Sequence, residues 1–463
     1  MAGIDGFAGS GASLEQLGEL EEIRVGVAPP EFELPVGVIL AAGTGSRLGV
    51  GSKALARLAG ITLLERAVAT LCAVGVEEIL VVVGYEKERV RNFVRERGLG
   101  VQLVENGDFG LGNGSSALVG ARAAGRRFLL AMVDHVFDPE ALQRLIRSEA
   151  AFALAVDSRP RLCDVDEATK VRLQGRRVVA VRRELEVWEA VDAGLALCDA
   201  EVTQVAERSL AAGEQSWNAV KRRWLVEGGE IEAVDLEGLF WIDVDTPADR
   251  RRAERTLVSL AARKPLDGPV SRLVNRRLSR PISLVLLRAG VSPGAATVAT
   301  FLFALAAAAV LALGVVWPAA LVLGGILVQL ASILDGVDGE IARASLRSSP
   351  FGGFLDSVLD RAADAAVLAA LAIAAGLAAT TWALLAAALF GSLMTPYVKA
   401  AYEAAYRRPL PRPISPINAG RDVRLLVASL SAIALQPLWG LVALAILTNA
   451  EAVQRFVGAA RAR

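Results

Sequence analysis

Cysteine is almost missing from this chain. Among 463 residues there are three, Cys72, Cys163 and Cys198, far apart and with no CxxC pair. That excludes a disulfide framework and a zinc knuckle, and it suits a reducing compartment. An excess of either charge is missing too, since 50 Lys and Arg stand against 50 Asp and Glu. The balance itself argues neither for nor against nucleic acid, and no nucleic-acid partner is expected. The first residues lack the basic-then-apolar pattern of a secretory signal. Residues 1–34, rich in Gly and Glu, are expected to form a flexible extension. The most telling gaps are in the cations. No Lys or Arg occurs between Arg288 and Arg343, between Arg361 and Lys399, or between Arg424 and Arg455.

Beyond Pro293 there are six apolar segments, near 294–316, 318–341, 354–375, 378–400, 422–436 and 438–456. Most reach the ~20 residues that span a bilayer, and the fifth is short. Lys and Arg therefore fall in alternate connections. Six spans would put those connections on one side, which the positive-inside rule makes cytoplasmic, together with the half that precedes them. A soluble bundle has no reason to sort its cations this way. Ahead of the spans, "DGPVSRLVNRRLSRPISLVLLRAG" (267–290) interleaves Arg272, Arg276, Arg277 and Arg280 with Leu273, Val274, Leu278, Ile282 and Leu286. It reads as a basic amphipathic helix along an anionic lipid surface, or else as a solvated linker helix.

The first half is different. "VGVILAAG" (36–43), "EEILVVVGY" (77–85) and "RFLLAMVDH" (127–135) are buried-strand runs separated by helical stretches. This alternation predicts a parallel α/β sheet covered on both faces.

The connection after the second apolar segment holds four acids, in "DGVDGEIARASLRSSPFGGFLDSVLD" (335–360). Asp335 and Asp338 are three apart and Asp356 and Asp360 four apart, so each pair shares a helix face. Two such pairs on neighbouring helices make a cage of carboxylates whose mutual repulsion a cation relieves. All-oxygen ligands favour Mg²⁺, Mn²⁺ or Ca²⁺ over zinc, and paired divalent ions suit displacement at phosphorus. The stretch matches the signature of the CDP-alcohol phosphotransferases, D-x2-D-G-x2-A-R-x8-G-x3-D-x3-D. It does so through Asp335, Asp338, Gly339, Ala342, Arg343, Gly352, Asp356 and Asp360. The resemblance covers roughly 267–460, with Gly294 where that family often has Asn. It implies that Asp335, Asp338 and Asp356 bind metal, that Asp360 binds metal or deprotonates an acceptor hydroxyl, and that Gly339, Arg343 and Ser349 touch the CDP moiety. Lys399, Arg421 and Arg424 flank the cavity as candidates for an acceptor's phosphate, or they are interfacial cations that snorkel.

In the first half, "LAAGTGSRL" (40–48) follows a strand and is followed by "SKAL". Gly43 and Gly45 let backbone N–H groups, together with the root Leu40, Ala41 and Ala42, approach a triphosphate that Arg47 and Lys53 neutralise. The pattern resembles the nucleotidyltransferases that activate sugars and alcohols, with Ser52 in place of the usual Pro. That resemblance implies Mg²⁺, or Mn²⁺, on Asp134 and Asp245, with Asp243 as the alternative to Asp245. An N-cap or Asx-turn before Pro247 is the structural reading of Asp245. His135, the only histidine, is either a substrate contact or a structural residue at a strand end. "GNGSSAL", "DEATKV" and "AVDAGL" resemble alcohol-phosphate segments of cytidylyltransferases and nominate Asn113, Ser115, Lys170 and Asp192. Arg183 stands where that family has Lys.

Together the halves resemble the bifunctional inositol-1-phosphate cytidylyltransferase and di-myo-inositol-phosphate-phosphate synthases. The expected architecture is an α/β Rossmann-like nucleotidyltransferase domain (35–262), a linker with a basic juxtamembrane helix (263–290), and an all-α domain of six transmembrane helices (291–463). The resemblance implies CTP, inositol-1-phosphate and CDP-inositol as small-molecule partners and a homodimer through the membrane domain. Competing readings are a phospholipid synthase with a lipid acceptor, the same two steps on another polyol phosphate, and a transporter or membrane anchor.

Overall fold

The run VGVIL offers water no polar face, and as β1 (Val36–Leu40) it lies wholly buried within a sheet, as a strand covered on both sides must. The computed structural model describes residues 33–263, 268–376, 378–411 and 420–461. Residues 1–32 of the expected extension, and parts of the linker and of the connection before the fifth apolar segment, lie outside the described residues. The chain forms two compact units, one ending at Ala253 and the other beginning at Glu254, a division earlier than the expected boundary at 262.

In the first unit a short ribbon, β2 (Arg57–Leu58) and β3 (Ile61–Thr62), leads to α1 (Leu63–Ala73). There Thr62 and Glu65 form a reciprocal capping box. The chain continues through β4 (Ile79–Val83), α2 (Lys87–Arg97), β5 (Gln102–Glu105), α3 (Asn113–Ala124) and β6 (Phe128–Met132). These strands lie in the order β5-β4-β1-β6, all parallel. The chain thus builds outward to one edge and returns to the other side of β1. Such a reversal opens a crevice at the carboxyl ends of β1 and β6, the usual ligand position of an open α/β sheet.

The rest follows as β7 (His135–Phe137), α4 (Pro139–Ile146), β8 (Phe152–Asp157), β9 (Lys170–Gln174), β10 (Arg177–Arg182), β11 (Ala190–Cys198), α5 (Glu201–Ala211), α6 (Trp217–Val226), β12 (Glu232–Asp235), β13 (Trp241–Asp243) and α7 (Pro247–Ala261). Here the expectation of a parallel sheet fails. The nine-stranded sheet is mixed, with β11 antiparallel to both β6 and β8 and a β9–β10 hairpin at the far edge. β11 arrives from that hairpin and not from a crossover helix, and only antiparallel neighbours can be joined without one. β7 and β13 form a separate ribbon that sets Asp243 opposite His135.

The second unit is helical: α8 (Arg276–Arg288), α9 (Pro293–Ala312), α10 (Pro318–Leu334), α11 (Val337–Ala344), α12 (Pro350–Ala374), α13 (Ala379–Tyr406), α14 (Arg421–Ile433) and α15 (Pro437–Arg461). Proline opens four of them, where its missing N–H costs nothing. Ser292 and Ser349 cap two of those starts, their hydroxyls accepting from Ala295 N and Gly352 N. Small residues such as Ala307, Ala308, Ala370, Ala388 and Ala432 form much of the core, which lets helices approach closely.

Among the described residues, four helical stretches are long and apolar enough to cross a bilayer: Pro293–Val315, Pro318–Ala344, Ala379–Tyr406 and Pro437–Arg461. The six segments are all helical, but two fall short of the expectation. α12 carries Asp356, Asp360 and Arg361 in its first half and Asp364 just past its middle, and α14, with 13 residues, rises only about 20 Å. The basic helix also differs from its expectation. Arg276 is buried, 3.1 Å from Glu340 Oε1, and Ser279 and Ser283 each donate to the same carboxylate at 2.6 Å. Leu273, Leu278 and Val285 are left exposed on its outer face.

Candidate active sites

The Gly-rich loop at the end of β1 folds back on itself. Gly45 N donates to Gly51 O at 2.7 Å, Val50 N donates to Gly45 O, and Ser46–Leu48 make a single tight turn between. A Cβ on Gly45 would stand 2.6 Å from Gly51 O, so the return needs glycine there. Leu40, Ala41 and Ala42 are buried at the root, while Gly43 and Thr44 are exposed above the crevice. Ser52 N donates to Glu86 Oε2 at 3.0 Å, which ties the loop's far end to the start of α2.

Lys53, just beyond, is buried and bonds Asp134 Oδ2 and Asp245 Oδ1, with Asp243 Oδ1 4.0 Å away. Arg47 Nη2 lies 2.7 Å from Asp245 Oδ2. Asp245 is not the cap of α7, because Thr246 takes that role in a reciprocal bond with Asp249. His135 Nδ1 is 2.7 Å from Asp134 Oδ1, and its ring stacks on Trp241. A Cβ on Gly194, whose φ is +77°, would stand 2.6 Å from His135 Nε2, so glycine makes room for the ring. Burial disfavours a charged imidazole, but Asp243 and Asp134 outweigh it and push His135 up to about 9. Burial raises Asp243 to about 6, with Asp134 adding to the effect. Burial works against the Asp134 carboxylate as well, but His135 and Lys53 hold it well below its usual range.

One ligand atom from each of Asp134, His135 and Asp243 lies within 4.8 Å of the others. Asp243 Oδ1 is buried without a hydrogen-bond partner. An orphaned carboxylate oxygen beside a second carboxylate fits a divalent cation. It is thus Asp243, the alternative, that joins this cluster, while Asp245 meets the two cations.

A cavity of about 540 Å³ adjoins the cluster, lined among others by Arg47, Asn113, His135, Arg183, Asp192 and Trp241. Asn113 Oδ1 accepts from Trp217 N at 2.9 Å. Two nominated residues stay off the wall. Ser115 is buried, donating to Gly112 O and accepting from Asn106 Nδ2, and Lys170 is half-buried on β9. Sequence reasoning passed over Asn218 and Lys221, which line the cavity. The signal was there in "SWNAVKRRW", where a lone lysine falls on the apolar stripe of Trp217, Val220 and Trp224.

In the helical unit, Asp335 at the end of α10 and Asp356 and Asp360 on α12 bring one oxygen each within 4.8 Å. The fourth acid, Asp338 on α11, lines the same small cavity but accepts from Thr297 Oγ1 at 2.6 Å. Arg421 lies among them. It bonds Asp335 Oδ1 and is 2.7 Å from both Asp360 Oδ1 and Asp364 Oδ1. Three clustered carboxylates with no nitrogen or sulfur donor fit a hard divalent ion. Arg424 donates to Ser392 Oγ at 2.7 Å. Arg343 Nε donates to Ala261 O at 2.7 Å. Lys399 is half-exposed, 3.9 Å from Glu403, and away from the acids' cavity. Asp364 went unnominated although it extends the Asp356, Asp360 spacing by one more turn.

Comparison with known proteins matches the two halves of the chain to two families. Residues 37–278 match the MobA-like NTP transferase domain, and residues 291–450 match the CDP-alcohol phosphatidyltransferase family. The bifunctional IPC transferase and DIPP synthase of Rubrobacter xylanophilus is 46% identical over 428 residues, covering 92% of this chain and 96% of that one. The protein of the same description from Thermococcus kodakarensis is 37% identical over 325 residues, 70% of this chain and 72% of its own. Among solved structures, the inositol-1-phosphate CTP transferase from T. maritima is 25% identical, with a TM-score of 0.44, and covers 47% of this chain and 91% of its own. The chain belongs to the family of bifunctional IPC transferases and DIPP synthases.

Proposed function

We propose that the chain makes CDP-inositol from CTP and inositol-1-phosphate, then transfers phosphoinositol to a second inositol-1-phosphate, giving di-myo-inositol-phosphate-phosphate and CMP. The observation that carries this is the presence, in one chain matched almost end to end by such a relative, of two separate aspartate clusters, each met by an arginine or lysine.

In the first step a phosphate oxygen of inositol-1-phosphate attacks the α-phosphorus of CTP, and pyrophosphate leaves. Lys53 and Arg47 neutralise the triphosphate, and the exposed backbone at Gly43 and the turn after Gly45 face it. Asn113, His135, Asp192, Ser115 and Lys170 are the proposed alcohol-phosphate residues, the first three on the cavity wall. In the second step an acceptor hydroxyl attacks the β-phosphorus of CDP-inositol and CMP leaves. Asp360 orients that hydroxyl and takes its proton. Gly339, Arg343 and Ser349 meet the CDP moiety, and Lys399, Arg421 and Arg424 meet the acceptor's phosphate. Divalent cations, Mg²⁺ or Mn²⁺, would supply charge neutralisation of the phosphates. Asp134 with Asp243 or Asp245 would hold them in one site, and Asp335, Asp338, Asp356 and Asp360 in the other.

The reading includes a multi-pass membrane domain with α12 and α14 completing six crossings, both sites on the cytoplasmic side, and pairing into a homodimer. Cations confined to alternate connections support the six crossings. The exposed Leu278 and Val285 of α8, with Leu273 just before it and Arg277 alongside, support contact of that helix with lipid headgroups. The test is mass analysis of the products formed by purified protein from CTP, Mg²⁺ and inositol-1-phosphate, with labelled CDP-inositol then offered soluble and lipid acceptors. A lipid product alone replaces this reading with a phospholipid synthase.

A further inference from the structure

The wall of the 540 Å³ cavity contains a buried ion pair whose lysine the chemistry above leaves without a task. The Lys221 side chain on α6 is 2% exposed and that of Asp192 on β11 is 4% exposed. Lys221 Nζ bonds Asp192 Oδ2 and lies 3.1 Å from Asn218 Oδ1. Asp192 Oδ1 accepts from Gly194 N at 2.8 Å, and Asn218 Nδ2 donates to Thr169 Oγ1 at 2.9 Å. An ion pair so enclosed adds little to stability, because apolar side chains of the same volume do as well. Lys221 interrupts an otherwise apolar stripe between Trp217 and Trp224 to provide one.

Apart from Asp243, whose orphaned oxygen belongs to the cation cluster, the other acids of the wall are answered elsewhere. Asp245 meets Lys53 and Arg47, Asp249 accepts from Thr246, Asp164 accepts from Asp166 N, and Glu167 lies 4.0 Å from Arg183. Asp192 depends on Lys221. Without it a lone carboxylate would remain in a desolvated wall, which is the arrangement that draws in a cationic ligand. With it the wall offers neutral, fixed hydrogen-bonding groups alongside Trp217 and Trp241, and these suit a ring of hydroxyls.

We propose that Lys221 sets the charge class of the alcohol phosphate: by neutralising Asp192 it admits a neutral polyol and turns away a cationic amino-alcohol. This rests on the cytidylyltransferase reading of the first site. The experiment measures pyrophosphate release from CTP by the full-length protein, with inositol-1-phosphate and phosphocholine as paired probes. Wild type is expected to use the first and refuse the second. A wild type inert with both, or one that prefers phosphocholine, overturns the function and this proposal together, whereas a wild type that uses inositol-1-phosphate while Lys221→Met leaves the ratio unchanged overturns the proposal alone. Lys221→Met should shift the ratio of kcat/KM for the two probes toward phosphocholine by about 100-fold or more. Lys221→Arg should keep the wild-type ratio, and the double variant Asp192→Asn/Lys221→Met should return to within about tenfold of it. Equal loss on both probes in Lys221→Met, or a double variant as permissive as the single one, overturns the proposal. Should Lys221→Met not fold, Asp192→Asn carries the test. That variant leaves Lys221 charged, so it must exclude phosphocholine at least as strictly as wild type, and admission overturns the idea.

Discussion

The two acidic sites gather similar side chains in opposite ways. In the helical unit, Asp335, Asp338, Asp356, Asp360 and Asp364 all fall within 30 residues and are spaced by helical turns. Only the arginine that answers them comes from far along the chain. In the α/β unit the neighbours Asp134 and His135, and Asp243 and Asp245, are local, but the contacts that join them are not. Lys53 reaches Asp134 across 81 residues and Asp245 across 192, and the crevice at the ends of β1 and β6 brings them together. A site on helices is written in one stretch because the helix repeat itself aligns the ligands. A site at strand ends is assembled by sheet order, so no short stretch carries it.

The comparison breaks first, and by the largest margin, at Asp360. Replacing it with Asn keeps the shape and removes the base, so diester formation from supplied CDP-inositol should fall by about 10³-fold or more. Pyrophosphate release from CTP should stay at the wild-type rate. Loss of both activities in a folded variant would mean that the two units do not divide the work. The reciprocal variant is Lys53→Met. It withdraws the cation that three carboxylates share, and CDP-inositol synthesis should fall by about 10²–10³-fold. Consumption of supplied CDP-inositol should be unaffected, as a coupled CMP assay would read.

The same contrast explains what could be read beforehand. Asp356 and Asp360 were legible as neighbours because an i, i+4 spacing on one helix fixes a common face, whereas Asp335 and Asp338 fall on successive helices. What was hidden is that Asp338 turns to Thr297, 41 residues earlier, a contact that only packing decides. Asp243 and Asp245 lie two apart, so a strand presents them on one face and periodicity cannot choose between them. The choice came from the pairing of β13 with β7, which puts Asp243 opposite His135. The parallel half of the sheet was legible from buried β-branched runs. The antiparallel half was not, because strand direction depends on the hairpin β9–β10, whose exposed, charged residues carry no such run. Six helical segments were legible from apolar length, but the acids of α12 and the shortness of α14 weaken them as spans. Those departures fall where the site is, since the carboxylates that would do the chemistry interrupt the apolar run.

Glu340 sharpens the comparison within the helical unit. It is two residues from Asp338, on the opposite face of α11, and fully buried against Arg276, Ser279 and Ser283. One acid of this short helix faces the cavity and the other fastens α8. Glu340→Ala removes the buried partner of Arg276 and should cost the helical unit about 3 kcal/mol. Thermal unfolding in detergent would show it, and the pyrophosphate-releasing activity should keep its wild-type KM for CTP.

The smallest effect is expected at Ser349, where a structural and a binding role meet in one hydroxyl. Its oxygen accepts from Gly352 N at 3.0 Å and caps α12, and the same hydroxyl keeps a proton to donate to a phosphate oxygen. Ser349→Ala should therefore cost about 1 kcal/mol of stability through the lost cap. It should also raise the KM for CDP-inositol by roughly fivefold through the lost donor. Ser349→Asp separates the two. A carboxylate restores the cap and the melting temperature, but it cannot donate and repels the diphosphate, so KM should stay raised or rise further. If Ser349→Asp recovers KM along with stability, the hydroxyl serves the helix alone, and the CDP moiety finds its donors elsewhere in the turn between α11 and α12.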